Sequence, residues 1–279
     1  MFRKYGILGI LMIVFVELNF LFRLQPFANW YFPIVWYGYI LVIDALVYKS
    51  KGSSFISSRP KQFMVLIALS AAFWWLFEVF NSMTIRNWAY MGTGGFGHPA
   101  LKYLFGTLSF STVLPAVFET AELIKSTHVF SRNRLGHEHR ITKSLLHGMI
   151  VLGVFCLVLF IILPMFFFPL IWIAFFLLLD PVNYMHRQPS IIRHLKDRRL
   201  LIPLSLMLAG LVCGILWEFW NFWAIPKWSY DIPFVGFLKI FEMPILGYIG
   251  YLPFALEVYA MYYFIMGLLR QHRSSEITI

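Results

Sequence analysis

The chain has 279 residues, 60% of them hydrophobic and 13% charged, with a formal net charge of +10. A soluble domain carries about a quarter charged residues, so the composition excludes an ordinary globular fold and points to a polytopic membrane protein. The cysteines Cys156 and Cys213 both lie inside apolar blocks, which excludes a disulfide framework.

In chain order the apolar segments predict eight spanning helices: Tyr5–Phe22, Tyr31–Tyr48, Gln62–Ser82, Leu101–Ile124, Leu145–Leu163, Phe166–Tyr184, Leu200–Ala224 and Phe241–Leu269. Each is near or above the roughly 18 residues needed to cross a bilayer. The first contains Glu17 and Asn19 and no small-residue cleavage site follows it, so it reads as a retained anchor rather than a cleaved signal. Helices five and six nearly run together around Pro164.

Lysine and arginine concentrate before helix one, after helix eight, and between helices two and three, four and five, and six and seven. The opposite side holds only Arg23, Arg86, Lys102, Lys227 and Lys239. This bias predicts that both termini are cytoplasmic. It makes the positive charge a topology signal and a contact for anionic lipid headgroups at the cytoplasmic face, not a nucleic-acid surface.

Two stretches are copies of each other. "WWLFEVFNSMTIRNWAY" (Trp74–Tyr90) and "GILWEFWNFWAIPKWSY" (Gly214–Tyr230) share Glu78/Glu218, Asn81/Asn221, Trp88/Trp228 and Tyr90/Tyr230. "FPIVWYGYILVIDALVY" (Phe32–Tyr48) matches "FPLIWIAFFLLLDPVNY" (Phe168–Tyr184), pairing Asp44 with Asp180, and "LPAVFE" matches "LPFALE", pairing Glu119 with Glu257. The offsets of 140, 136 and 138 residues are nearly constant and co-linear, the signature of an internal duplication. Shared Leu and Phe arise easily by chance in apolar sequence; shared Asp, Glu, Asn and Pro do not. The expected fold is an all-α membrane bundle of two parallel four-helix repeats, residues 1–140 and 141–279, related by an axis along the membrane normal.

The acids carry the functional expectation. A carboxyl at mid-membrane costs about 2.5–3.5 kcal/mol on insertion scales, so several together must face the protein interior or a watery cavity. Glu78 and Asn81 share a helical face, as do Glu218 and Asn221, which makes Asn81 and Asn221 orienting residues. Glu119 and Glu257 each follow a proline by four positions, which predicts a kink beside a cavity. Asp44, Asp180, Glu17 and Glu122 read as hydrogen-bonding glue between helices, and Glu242 as solvated. Trp88, Tyr90, Trp228 and Tyr230 fit an interfacial aromatic belt. Trp74, Trp75, Trp217 and Trp220 flank the acids, where a ring face can stabilise a cation or simply pack. The loops "YMGTGGFGHP" and "DIPFVGFLKIFEMPILG" are rich in Gly and Pro and are candidates to re-enter the membrane or lid a cavity. "GHEHR" (Gly136–Arg140) spaces two histidines in a basic loop and reads as a solvated stretch, not a metal site.

An acid on one helix, W-x-Y in the following outer loop and a proline–acid motif on the next helix, present twice, resembles the membrane lycopene-cyclase domain of carotenoid synthesis. The matching residues are Glu78, Trp88, Tyr90, Pro115 and Glu119, then Glu218, Trp228, Tyr230, Pro253 and Glu257. Here the acid is single, at P-x-x-x-E spacing, and each repeat has four helices where that family has three. The chain also looks like duplicated bacterial membrane proteins of the cytoplasmic (inner) membrane. The cyclase resemblance implies acid-initiated isoprenoid chemistry without redox or external cofactor: Glu119 and Glu257 as proton donor and acceptor, Glu78 and Glu218 beside them, and Trp75, Trp217, Trp220, Trp88, Trp228, Tyr90 and Tyr230 lining the substrate. Two other readings stay open. The same acids are coupling sites in a proton- or cation-coupled carrier, or they are glue in a structural, lipid-binding membrane protein.

Overall fold

The structure is a computed structural model describing residues 2–137 and 140–269. Glu138 and His139 of the two-histidine stretch lie outside the described residues, as do Arg270 and Arg273 of the charge bias. Twelve α-helices are described: α1 (Lys4–Phe22), α2 (Tyr31–Lys51), α3 (Phe55–Ser58), α4 (Pro60–Met83), α5 (Pro99–Phe110), α6 (Val113–Ser126), α7 (Lys143–Ile162), α8 (Pro164–Phe167), α9 (Ile171–Met185), α10 (Ile191–Lys196), α11 (Leu201–Trp223) and α12 (Tyr251–Leu268). Four short strands join them: β1 (Trp88–Met91), β2 (Lys227–Tyr230), β3 (Lys239–Ile240) and β4 (Met243–Pro244).

Eight stretches are long and apolar enough to cross a membrane, by length and composition: Lys4–Phe22, Tyr31–Lys51, Pro60–Met83, Pro99–Ser126, Lys143–Ile162, Pro164–Met185, Leu201–Trp223 and Ile245–Leu268. They match the predicted spans to within a few residues, with one exception. Phe241–Pro244 does not begin the eighth helix; Met243 and Pro244 form β4, paired with β3, and the span starts at Ile245.

The chain forms two compact units. The first comprises Met1–Ser126 and Cys213–Ile245, and the second Thr127–Val212 and Leu246–Ile279. These are not the sequence halves 1–140 and 141–279: α11 gives its beginning to the second unit and its end to the first.

In the first unit α1 packs on α2, and α2 and α4 pack on α6. The α1–α2 crossing is close because Gly9 meets Gly38; a Cβ on Gly9 would stand 2.5 Å from the Gly38 carbonyl oxygen. In the second unit α7 and α12 both pack on α9. There a Cβ on Gly153 would stand 2.9 Å from the carbonyl oxygen of Ala174, the residue aligned with Gly38. Small residues let helix backbones approach where no hydrophobic drive separates protein from lipid. Most of α1 outside this seam exposes apolar side chains, such as Leu11 and Leu18, as a lipid-facing helix must.

Asp44 and Asp180 perform the same local task in the two units. Asp44 accepts from the Ile56 amide at 2.9 Å, from the Ser54 hydroxyl at 2.8 Å and from the Tyr5 hydroxyl. Asp180 accepts from the Ile191 and Ile192 amides at 2.8 and 2.9 Å. Each satisfies amides at the start of the next short helix, α3 or α10, whose N-caps are Ser54 and Ser190. Those amides have no partner within their own helix.

Pro115 and Pro253 are not kinks. They sit in the first turns of α6 and α12, where a missing amide hydrogen costs no helix bond. The interruption in the fourth span falls earlier, between α5 and α6. There Ser70 of α4, fully buried, donates to the Phe110 carbonyl at 2.5 Å and accepts from the Leu114 amide at 3.0 Å.

Candidate functional site

The duplicated acid–amide motif builds one module twice within the first unit. Asn81, near the end of α4, donates to the Trp88 carbonyl at 2.9 Å and accepts from the Trp88 amide at 3.4 Å. Asn221, near the end of α11, makes the same two bonds to Trp228 at 2.8 and 2.9 Å. The side-chain amide thus mimics a strand neighbour and clamps the chain leaving the helix. The orienting role expected of Asn81 and Asn221 is therefore indirect: the amides hold the W-x-Y strands, and the strands hold the acids.

Those strands pair with each other. β1 runs antiparallel to β2 with Trp88 opposite Tyr230, Ala89 opposite Ser229 and Tyr90 opposite Trp228. The register is symmetric about the Ala89–Ser229 pair, so each tryptophan faces the other copy's tyrosine. Of the Gly- and Pro-rich outer loops, the first continues from β1 into a 3-10 turn at Thr93–Phe96, and the second holds the β3–β4 pair. Gly92 ends β1 with φ of 72°, and a Cβ there would meet the Ile225 carbonyl oxygen at 2.2 Å, so only glycine fits.

Each W-x-Y tyrosine reaches back to its acid. Tyr90 donates to Glu78 Oε1 at 2.5 Å, and Tyr230 to Glu218 Oε1 at 2.8 Å. Around Glu78, Trp74 Nε1 and Trp88 Nε1 also donate to Oε1 at 3.1 and 2.9 Å. In the second copy the Trp228 ring donates instead to the Tyr230 hydroxyl at 2.7 Å. Trp88 is buried, and the two tyrosines are hydrogen-bond partners of the acids. Burial of the Tyr90 hydroxyl and the adjacent Glu78 charge push its phenol well up, so it stays a donor at physiological pH.

The two acids differ in access. Glu78 is half-buried, and its donors Trp74 and Tyr90 belong to a set of rings with Trp75, Phe110 and Tyr103 whose contacting centroids lie 5.1–6.5 Å apart. Trp75 is fixed by a 3.1 Å bond from its Nε1 to Thr107, and Tyr103 is 64% exposed. Glu218 is fully buried, and its helix carries Trp217 and Trp220, which pack on Trp36 at 5.4 and 4.9 Å.

Glu119 is not beside them. It is fully buried in α6, within electrostatic reach of Asp44, Glu122 and Arg59, with the Asp44 carboxyl within hydrogen-bonding reach. Glu122 is an ion pair rather than neutral glue: Lys51 and Arg59 reach it from the end of α2 and the segment beyond, Arg59 at 3.2 Å. Basic residues thus enter at the helix ends, although almost none lie within the spans. Glu257 belongs to the second unit, where its Oε1 accepts from the Phe175 amide of α9 at 2.9 Å.

Two acids that look bland in the sequence have defined partners. Glu17 accepts from Tyr31 at 2.9 Å and from Trp220 Nε1 at 3.1 Å. Its signal was present, since a carboxylate on an otherwise lipid-facing helix needs donors from a neighbour. Glu242 is not solvated: it pairs with Lys227 at 2.6 Å. Among the described residues no group of three His, Cys, Asp or Glu side chains is arranged to hold a metal. No protein-family model, curated protein or solved structure matches the chain.

Proposed function

We propose that this is an integral membrane protein of two parallel four-helix repeats, with both termini cytoplasmic in a bacterial inner membrane, that performs proton-transfer chemistry on an isoprenoid or other unsaturated lipid at Glu78. The duplicated clamps, the symmetric β1–β2 register and the charge bias support the architecture. One observation carries the function. All three donors to Glu78 converge on Oε1, Oε2 takes none of them, and the carboxyl is half-buried among aromatic rings.

Such a carboxyl serves as acid and base in turn. Protonated on Oε2, it delivers the proton to one carbon of a C=C bond. The faces of Trp74, Trp75 and Phe110 stabilise the carbocation. The carboxylate then removes a proton from a neighbouring carbon, and the double bond reforms in a new position or closes a ring. No electrons are gained or lost overall. Tyr90, Trp74 and Trp88 hold Oε1 and fix the carboxyl plane throughout.

The test is expression in a host that accumulates acyclic polyenes, with product chromatography. New isomers or rings are expected from the wild type and from Glu218→Gln, and none from Glu78→Gln. An unchanged profile across several polyenes, or full activity in Glu78→Gln, defeats the proposal.

A further inference from the structure

A separate cavity of about 370 Å³ opens in the first unit where the ends of α1 and α11 meet. Its wall includes Asn19, Phe20, Arg23, Phe222, Trp223 and Lys227. The segments on this end of the helices carry five cations, Arg23, Arg86, Lys102, Lys227 and Lys239, and two of them line this one cavity.

Arg23 is held there by a built turn. It caps α1 in the left-handed region, φ 52°, with its amide bonded to the Asn19 carbonyl at 2.7 Å. The buried Asn19 side chain then brackets Leu24, donating to its carbonyl and accepting from its amide, both at 3.1 Å. An arginine is strained in this conformation, and the Asn19 clamp maintains it. Among the described residues the Arg23 guanidinium forms no ion pair or hydrogen bond. Lys227 differs: it is bridged to Glu242 and lies 5.0 Å from the Phe222 ring centroid. Tyr31, also on the wall, commits its hydroxyl to Glu17. The uncompensated charge of the cavity is therefore that of Arg23.

The rest of the lining is apolar. Phe20 stacks edge-on against Trp223 at 5.6 Å and Phe222 against Trp223 at 5.1 Å. Phe222 and Trp223 remain 38% and 42% exposed, and Leu21 and Phe22 of α1 about 70%. A planar guanidinium on a cavity wall shared with aromatic rings suits a phosphate that carries hydrocarbon chains.

We propose that this cavity binds a membrane phospholipid, with Arg23 on its phosphate and Phe20, Phe222 and Trp223 against the first carbons of its chains. The site is independent of the chemistry assigned to Glu78. The test is native mass spectrometry of the full chain in detergent, titrated with dioleoylphosphatidylglycerol, dioleoylglycerol or inorganic phosphate. The phospholipid is expected to bind at least about tenfold more tightly than dioleoylglycerol. Arg23→Gln should weaken it by about tenfold, the size of a lost charge-assisted bond. Arg23→Lys, which keeps the charge and loses the planar fork, should fall between, and Arg86→Gln should leave it unchanged. Equal binding of the two lipids, equal losses in Arg23→Gln and Arg86→Gln, or displacement of the phospholipid by inorganic phosphate would each overturn the assignment.

Discussion

The two copies of the acid–amide–W-x-Y module share their wiring and differ in access. In both, an asparagine clamps a tryptophan backbone, and the tyrosine two residues further on returns to the glutamate. The neighbours set the difference. In the second copy Trp217 and Trp220 of α11 pack on Trp36 of α2, Glu17 of α1 ties down Trp220, and Glu218 is fully buried. Beside Glu78 the flank is α5, with an exposed Tyr103, and the carboxyl stays half-open. One duplicated construction thus yields a sealed structural copy and a reachable copy. Polar residues recurring in both copies mark the shared wiring, and exposure is what distinguishes the two acids.

The largest effect that sharpens this contrast is on stability. Asn221→Ala removes both bonds to Trp228 inside a fully buried site. At about 1–3 kcal/mol for each stranded buried group, a loss of about 3 kcal/mol is expected, read by thermal unfolding in nanodiscs. Next is Tyr230→Phe. It takes a hydrogen bond from a buried carboxyl, and about 2 kcal/mol should be lost. Tyr90→Phe should cost less, about 1 kcal/mol or under, because Trp74 and Trp88 still donate to Glu78. A larger loss in Tyr90→Phe than in Tyr230→Phe would break the comparison. The smallest effect is on pH dependence. The Tyr90 phenol is raised in the folded protein, so its contribution is complete below the ordinary phenol value of about 10 and declines only as pH rises beyond it. In a spectrophotometric titration, the tyrosinate absorbance that separates the wild type from Tyr90→Phe should develop at higher pH than the ordinary phenol range. A difference that develops at the ordinary phenol value would show that the phenol is not raised.

Much of this was legible in the sequence, for identifiable reasons. Spans follow from hydropathy, because a bilayer demands length and apolarity from each helix separately. The Glu78/Glu218 and Asn81/Asn221 pairs are visible because duplicated polar residues stand out in apolar sequence. The partner of each acid is not legible. Trp88 and Tyr90 look like a belt at the membrane boundary, and nothing local shows the chain folding back ten to twelve residues to reach Glu78. Glu122 and Glu242 look unpaired because their cations, Lys51, Arg59 and Lys227, arrive from other segments. Pro115 suggests a kink because a continuous spanning pattern hides the helix break between Phe110 and Val113. The motif groups Glu119 with Glu78, yet the charged neighbours of Glu119 are Asp44, Glu122 and Arg59.

The contrast between an open and a sealed glutamate is most directly measured with a membrane-soluble carbodiimide, which couples to carboxyl groups that lipid-borne reagents reach. After treatment of membranes at mildly acid pH, peptide mass spectrometry should find the adduct on Glu78 and not on Glu218. Modification of both to the same extent, or of neither, would contradict the account.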